Sequence, residues 1–145
     1  MEITRAQAIL GELLEAEERS LLPRLLESTV FVDSQAAGEL GIVRRMVAEH
    51  QEDARRLFET LVELDGRPGP SVSEIRSADF HYVDLEVLLP RVLADQQQLA
   101  ARYGAAAEAL NDYRPAADLV REIAGRHRTR AEYLRKLAES AAAGT

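Results

Sequence analysis

The chain has 145 residues, enough for one domain; hydrophobic residues make up 46%, charged residues 30%, and the net charge is −7. The acidic balance argues against a nucleic-acid partner and an anionic membrane surface, since both select for basic proteins. The absence of cysteine excludes disulfides, thiolate nucleophiles and cysteine metal sites.

Ala, Leu, Glu and Arg dominate, which favours helix. In chain order, the apolar period predicts helix A over about 3–31, helix B over 34–64, helix C over about 80–110 and helix D over 113–140. Met1-Glu2-Ile3-Thr4-Arg5 does not read as a signal peptide, and no apolar run approaches membrane-spanning length. The expectation is a single soluble, cytoplasmic, all-α domain spanning 1–145. Pro23 and Pro90 fall inside helices A and C and predict bends there.

Asp33-Ser34 and Asn111-Asp112 read as helix N-caps, with Pro115 in the first turn of D. The A–B and C–D connections are short, so each pair should form an antiparallel hairpin. Between B and C, about 65–79, Gly66-Arg67-Pro68-Gly69-Pro70-Ser71 breaks the pattern. That stretch can span ~55 Å when extended, the length of a bundle, so it predicts one long crossover. The fold expected is a four-helix bundle of two antiparallel hairpins joined by that crossover.

Each core stripe is interrupted by ionisable residues near its middle. Helix A offers Leu10, Leu14, Glu17, Leu21, Arg24; helix B, Val43, Val47, His50, Asp53, Leu57, Leu61; helix C, Leu88, Val92, Asp95, Leu99, Arg102; helix D, Val120, Ile123, His127, Arg130, Leu134. The halves match: Glu17 recurs as Asp95, His50 as His127 and Asp53 as Arg130. Buried charges must be paired or bind a metal, so these positions need an account.

The chain resembles the ferritin-like superfamily of the bacterioferritin and rubrerythrin type. The likeness is best in Glu49-His50-Gln51-Glu52-Asp53-Ala54-Arg55-Arg56-Leu57 and in the Gly66-Arg67-Pro68 that follows helix B. The resemblance implies a di-iron centre with one Glu from each of helices A and C and Glu-x-x-His from B and D. Carried over by position, Glu17 and Asp95 fall at the single carboxylates. His50 and His127 fall where glutamates stand in the family, and Asp53 and Arg130 where its histidines stand. Neither Glu-x-x-His motif is intact, so the centre reads as degenerate.

Three readings of these residues stay open. In the first, Glu17, Asp53 and Asp95 pair with Arg24, Arg102 and Arg130 as a core ion network, no cofactor is held, and the protein is non-catalytic. In the second, Glu17, His50, Asp53, Asp95 and His127 hold a single transition metal, Fe, Mn or Zn, with oxidoreductase or ferroxidase-type activity. In the third, Arg24 and Arg102 border a pocket for an anionic small molecule. Extra apolar residues (Ile9, Leu13, Leu22, Leu26, Leu89, Leu93) either complete the core or supply a homodimer interface.

Overall fold

A computed structural model describes residues 3–23, 37–64, 66 and 85–143. Among them are four helices and no strand: α1 (Ile3–Glu18), α2 (Ala37–Glu63), α3 (Leu85–Ala109) and α4 (Arg114–Ala143). The 30 residues of α4 make a rod of about 45 Å. None of the described helices is long and apolar enough to cross a membrane.

Helix α1 is shorter than the periodicity predicts, ending at Glu18 rather than running on to 31. Arg19 N still bonds Glu15 O at 3.1 Å, but Ser20 N bonds Glu17 O in a tighter turn, and Leu22 N turns to the Ser20 hydroxyl at 3.2 Å. Leu21 N leaves the ladder and donates to Asp95 Oδ2 at 3.0 Å. Pro23 then offers no N–H of its own, and Leu22 and Pro23 take a short 3-10 turn after the break. The helix that the sequence reads as continuous is thus broken between Glu18 and Leu22. Residues 24–36, which include Arg24, Leu26 and the Asp33-Ser34 cap, lie outside the described residues, as does nearly all of the 65–79 crossover.

The other ends follow their sequence signals. At the end of α2, Gly66 N bonds Leu61 O at 2.9 Å, and a Cβ at Gly66 would collide with the Leu61 side chain, so this close return requires glycine. Helix α3 continues through Pro90. A turn over Leu110–Tyr113 closes with Tyr113 N on Leu110 O at 2.8 Å, and α4 starts with Pro115 in its first turn, where a missing N–H costs nothing.

Helix α3 packs most extensively along α4, and α1 along α2; α1 also meets α3, and α2 meets α4. Gln7, near the start of α1, donates to Leu64 O just beyond α2, while Glu17 at the end of α1 reaches His50 in the middle of α2.

The apolar interior falls into two clusters. One gathers Leu10, Leu14, Leu57, Leu61, Tyr103, Leu110, Val120 and Ile123. The other gathers Leu22, Val43, Val47, Leu88, Leu89, Val92 and Leu134. Burying a side chain of this size contributes roughly 1.5–3 kcal/mol, so each cluster is a substantial source of stability. Leu13, Leu22 and Leu89 are buried in these clusters, and Ile9 and Leu93 pack against them. These residues complete the core. In sequence, a layer of polar residues from all four helices separates the two clusters.

Candidate functional site: a buried polar layer

Six ionisable or amide side chains, Glu17, His50, Asp53, Gln96, His127 and Arg130, are each at most 5% exposed. Each takes a core position because its helix turns 3.6 residues at a time, placing it in line with the leucines and valines one turn away. Such groups are tolerated in a core only when their charges and hydrogen bonds are answered locally.

Glu17 is the hub. Its Oε1 lies 2.5 Å from His127 Nε2, across the bundle on α4. Its Oε2 lies 2.6 Å from His50 Nδ1 on α2, though without hydrogen-bond alignment, so both atoms remain without a hydrogen-bond partner. Burial raises the Glu17 carboxyl. The two imidazoles, His127 hydrogen-bonded to Oε1 and His50 facing Oε2, outweigh burial and hold Glu17 well below the usual carboxylate range.

The other nitrogen of His127 faces an amide oxygen. Gln96 Nε2 donates to Ser20 Oγ at 3.3 Å, which leaves Gln96 Oε1 to accept from His127 Nδ1–H at 2.9 Å. Both ring nitrogens of His127 thus face oxygen acceptors. Tyr103 lies against this ring, with centroids 5.0 Å apart and planes at 55°. Its hydroxyl is buried with no hydrogen-bond partner; burial, then the Glu17 charge, pushes the phenol far up.

Asp53 forms the second hub. Its Oδ1 accepts from Arg126 Nε at 2.8 Å and from Arg126 Nη2, and its Oδ2 accepts from Arg130 Nη2 at 3.0 Å. Arg126 carries the network outward: it meets Glu122 at 3.2 Å, and Glu122 meets Arg56 at 2.7 Å. Arg130 Nη1 sits 3.5 Å from His127 Nδ1, whose proton already points at Gln96, so this is a contact between two donors.

The remaining candidates lie elsewhere. Asp95 is not in the Glu17 contact set. Its Oδ2 accepts from Leu21 N at 3.0 Å and Ser20 Oγ at 3.3 Å, holding the chain where α1 stops. Burial raises its carboxyl, against the lowering effect of those bonds. Arg102 is exposed and forms no part of the core. One cause explains both positions. Sequence spacing alone selects 92, 95, 99 and 102, but the buried run of α3 is Val92, Gln96, Leu99 and Tyr103. The helical turn carries the buried face one residue further along at each of these steps. Arg24 lies outside the described residues.

Gln96 and Arg126 were not singled out by sequence. Arg126 carried a signal, standing four residues before Arg130 and so on the same helical face. Gln96, the first of Gln96-Gln97-Gln98, carried none beyond the one-residue shift.

A di-metal centre of the ferritin-like type does not fit these residues. Both Asp53 oxygens are held by guanidinium groups, Asp95 is bonded to the turn after α1, and Arg130 cannot lose its proton to become a ligand. Among the described residues, no group of three or more His, Asp or Glu side chains is arranged to hold a metal ion. No family model, curated protein or solved structure matches the chain.

Proposed function

We propose that this chain is a ferritin-like four-helix bundle of two antiparallel hairpins joined by the 65–79 crossover, with an ion-pair network where relatives hold two metal ions. Its role is non-catalytic, in binding or assembly. The observation that carries this reading is Asp53: a fully buried carboxylate with both oxygens taken by Arg126 and Arg130. Fixed guanidiniums do the charge balancing that cations do in a metal centre. The α1–α2 contacts, Gln7 with Leu64 O and Glu17 with His50, support opposed helix directions in the first hairpin.

The test is a double-mutant cycle in chemical denaturation. Asp53→Leu alone leaves Arg130 buried without its carboxylate, and Arg130→Leu alone leaves Asp53 Oδ2 unanswered while Arg126 still holds Oδ1. The double variant removes both and should lie closer to wild type than either single variant. Additive losses would contradict a network role for the pair.

A second reading keeps a single Fe, Mn or Zn ion on the set Glu17, His50, Asp53, Asp95 and His127, of which Glu17, His50 and His127 lie together. The O···N contacts of 2.5 and 2.6 Å are ion-pair distances, so a metal would have to spread these side chains apart. Under that reading, Glu17→Ala and His50→Ala abolish metal uptake, and the loaded protein merits assays of oxidation chemistry.

A further inference from the structure

A single apolar side chain on a surface needs no explanation, but two in one line along a helix make a patch. Phe58 is 44% exposed and Val62 49%, one turn apart near the end of α2. Asp53 meets Arg126 and Arg130, and Arg56 meets Glu122, so that side of α2 faces α4. Phe58 stands about 140° and Val62 about 180° round the helix from Asp53, turned away from α4. Arg44, Ala48, Gln51 and Arg55 continue the same line toward the start of α2, and all four are exposed.

This stripe changes in size and in charge along its length. Its first half is small: Ala48 carries only a methyl group, and a Cβ on Gly41 would meet nothing within 4 Å. Its second half carries Phe58 and Val62. Arg44 and Arg45, both exposed in the first half, have no ion pair or hydrogen bond among the described residues. In the second half Arg55 is held by Glu52 and Glu59, and Glu63 is exposed without a partner among the described residues, so three carboxylates stand against one guanidinium. Glu49 and Arg56 stay out of this balance, because they turn toward Arg130 and Glu122 of α4. Glu18, the exposed last residue of α1, offsets no more than one of the two free arginines, so the first half stays positive.

A surface that is small and basic in one half, and large and acidic in the other, is complementary to itself when reversed. We propose that a second copy of this chain covers the stripe, the two α2 helices packing antiparallel about a two-fold axis between Gln51 and Arg55. In that arrangement Ala48 of each copy receives the partner's Phe58, and Arg45 reaches the partner's Glu63. Arg55 comes to the axis already neutralised by Glu52 and Glu59 of its own helix. A parallel pairing would set arginine on arginine and carboxylate on carboxylate, which is unfavourable. The stripe lies outside the buried layer, so the pairing holds whether or not the centre takes a metal.

The test is sedimentation equilibrium of the full chain over a range of protein concentrations. The expected result is a reversible dimer. Phe58→Glu, an exposed substitution, should weaken it about a hundredfold, since each dimer loses the contact twice. Arg45→Glu and Glu63→Arg should each weaken it about tenfold, and the chain carrying both should regain the wild-type affinity. The two positions lie ~27 Å apart along one helix, so only contact between copies can produce that rescue. A monomer at every concentration, as when the protein's own chain covers Phe58, would overturn the proposal. So would a dimer that Phe58→Glu leaves unchanged, or a double variant that binds no tighter than the single ones.

Discussion

Helices α2 and α4 enter the polar layer alike, and helices α1 and α3 do not. Each of α2 and α4 contributes two ionisable groups three residues apart, His50 with Asp53 and His127 with Arg130, and all four are buried. The second member of each pair meets its counterpart directly, Asp53 Oδ2 on Arg130 Nη2. Helix α1 contributes Glu17 at its penultimate residue, but the corresponding carboxylate of α3, Asp95, turns aside to hold Leu21 N, and Gln96 enters the layer instead. A repeat in sequence thus yields matched chemistry only where both helices run unbroken through the layer. Where one helix stops, its exposed backbone donors recruit the nearest carboxylate, and the partner helix answers with a neutral amide.

That contrast can be broken at its strongest point first. Asp53→Ala leaves the buried Arg130 without its carboxylate and should cost about 3–5 kcal/mol of unfolding free energy in a denaturant titration. A loss below 1 kcal/mol would show that Arg130 finds solvent and that α2 and α4 do not depend on this pair. Glu17→Gln keeps the shape and removes the charge facing two imidazoles. It should cost about 2–3 kcal/mol, in line with hydrogen bonds to charged groups. Gln96→Leu deprives His127 Nδ1–H of its acceptor and should cost about 1–3 kcal/mol, with an altered His127 ring signal in NMR. The smallest effect belongs to Asp95→Asn. An amide oxygen can still accept from Leu21 N, and the burial that opposes the charged carboxylate no longer matters, so stability at neutral pH should move by less than about 1 kcal/mol.

The two carboxylates also differ in how they respond to acid. Glu17 is held below its ordinary range in the fold, so the unfolded chain takes up this proton first as pH falls. Its stabilisation is whole above about pH 4.3, the unfolded value, and is lost as pH drops toward the lower folded value. Asp95 is raised in the fold, so its effect has the opposite sign. The cost of keeping it charged is relieved as pH falls through its raised folded value toward about 3.9, the unfolded value. Stability measured against pH should therefore lose part of its acid-side fall in Glu17→Gln and fall more steeply in Asp95→Asn. The same profile in both variants would remove the distinction drawn between them.

Much of this layer was legible from residue spacing. On α2 and α4 the interruptions at His50, Asp53, His127 and Arg130 stand in step with the apolar residues, and the helices follow that step for their whole length. On α3 the spacing points one residue early, because both 95 and 96 are compatible with a stripe through Val92 and Leu99. Only the packed helix decides that Gln96 and Tyr103 are inside and Arg102 is outside. The end of α1 was hidden for a different reason. The run from Leu21 to Phe31 keeps an apolar period, and Pro23 by itself is compatible with a bend as well as a stop. What holds the break after Glu18 is Asp95, 74 residues away from Leu21 in sequence, a tertiary partner that no local pattern announces.

The central claim is that the protein's own charges fill the middle of the bundle. Its most direct test is elemental mass spectrometry of protein purified without chelator or affinity tag, followed by anaerobic Fe(II) titration and absorbance on exposure to air. The account predicts no stoichiometric metal and no saturable iron uptake, in wild type and in Asp53→Ala alike. A stoichiometric metal in wild type that disappears in Glu17→Ala or His50→Ala would contradict it and make the cation-bridged centre the working description.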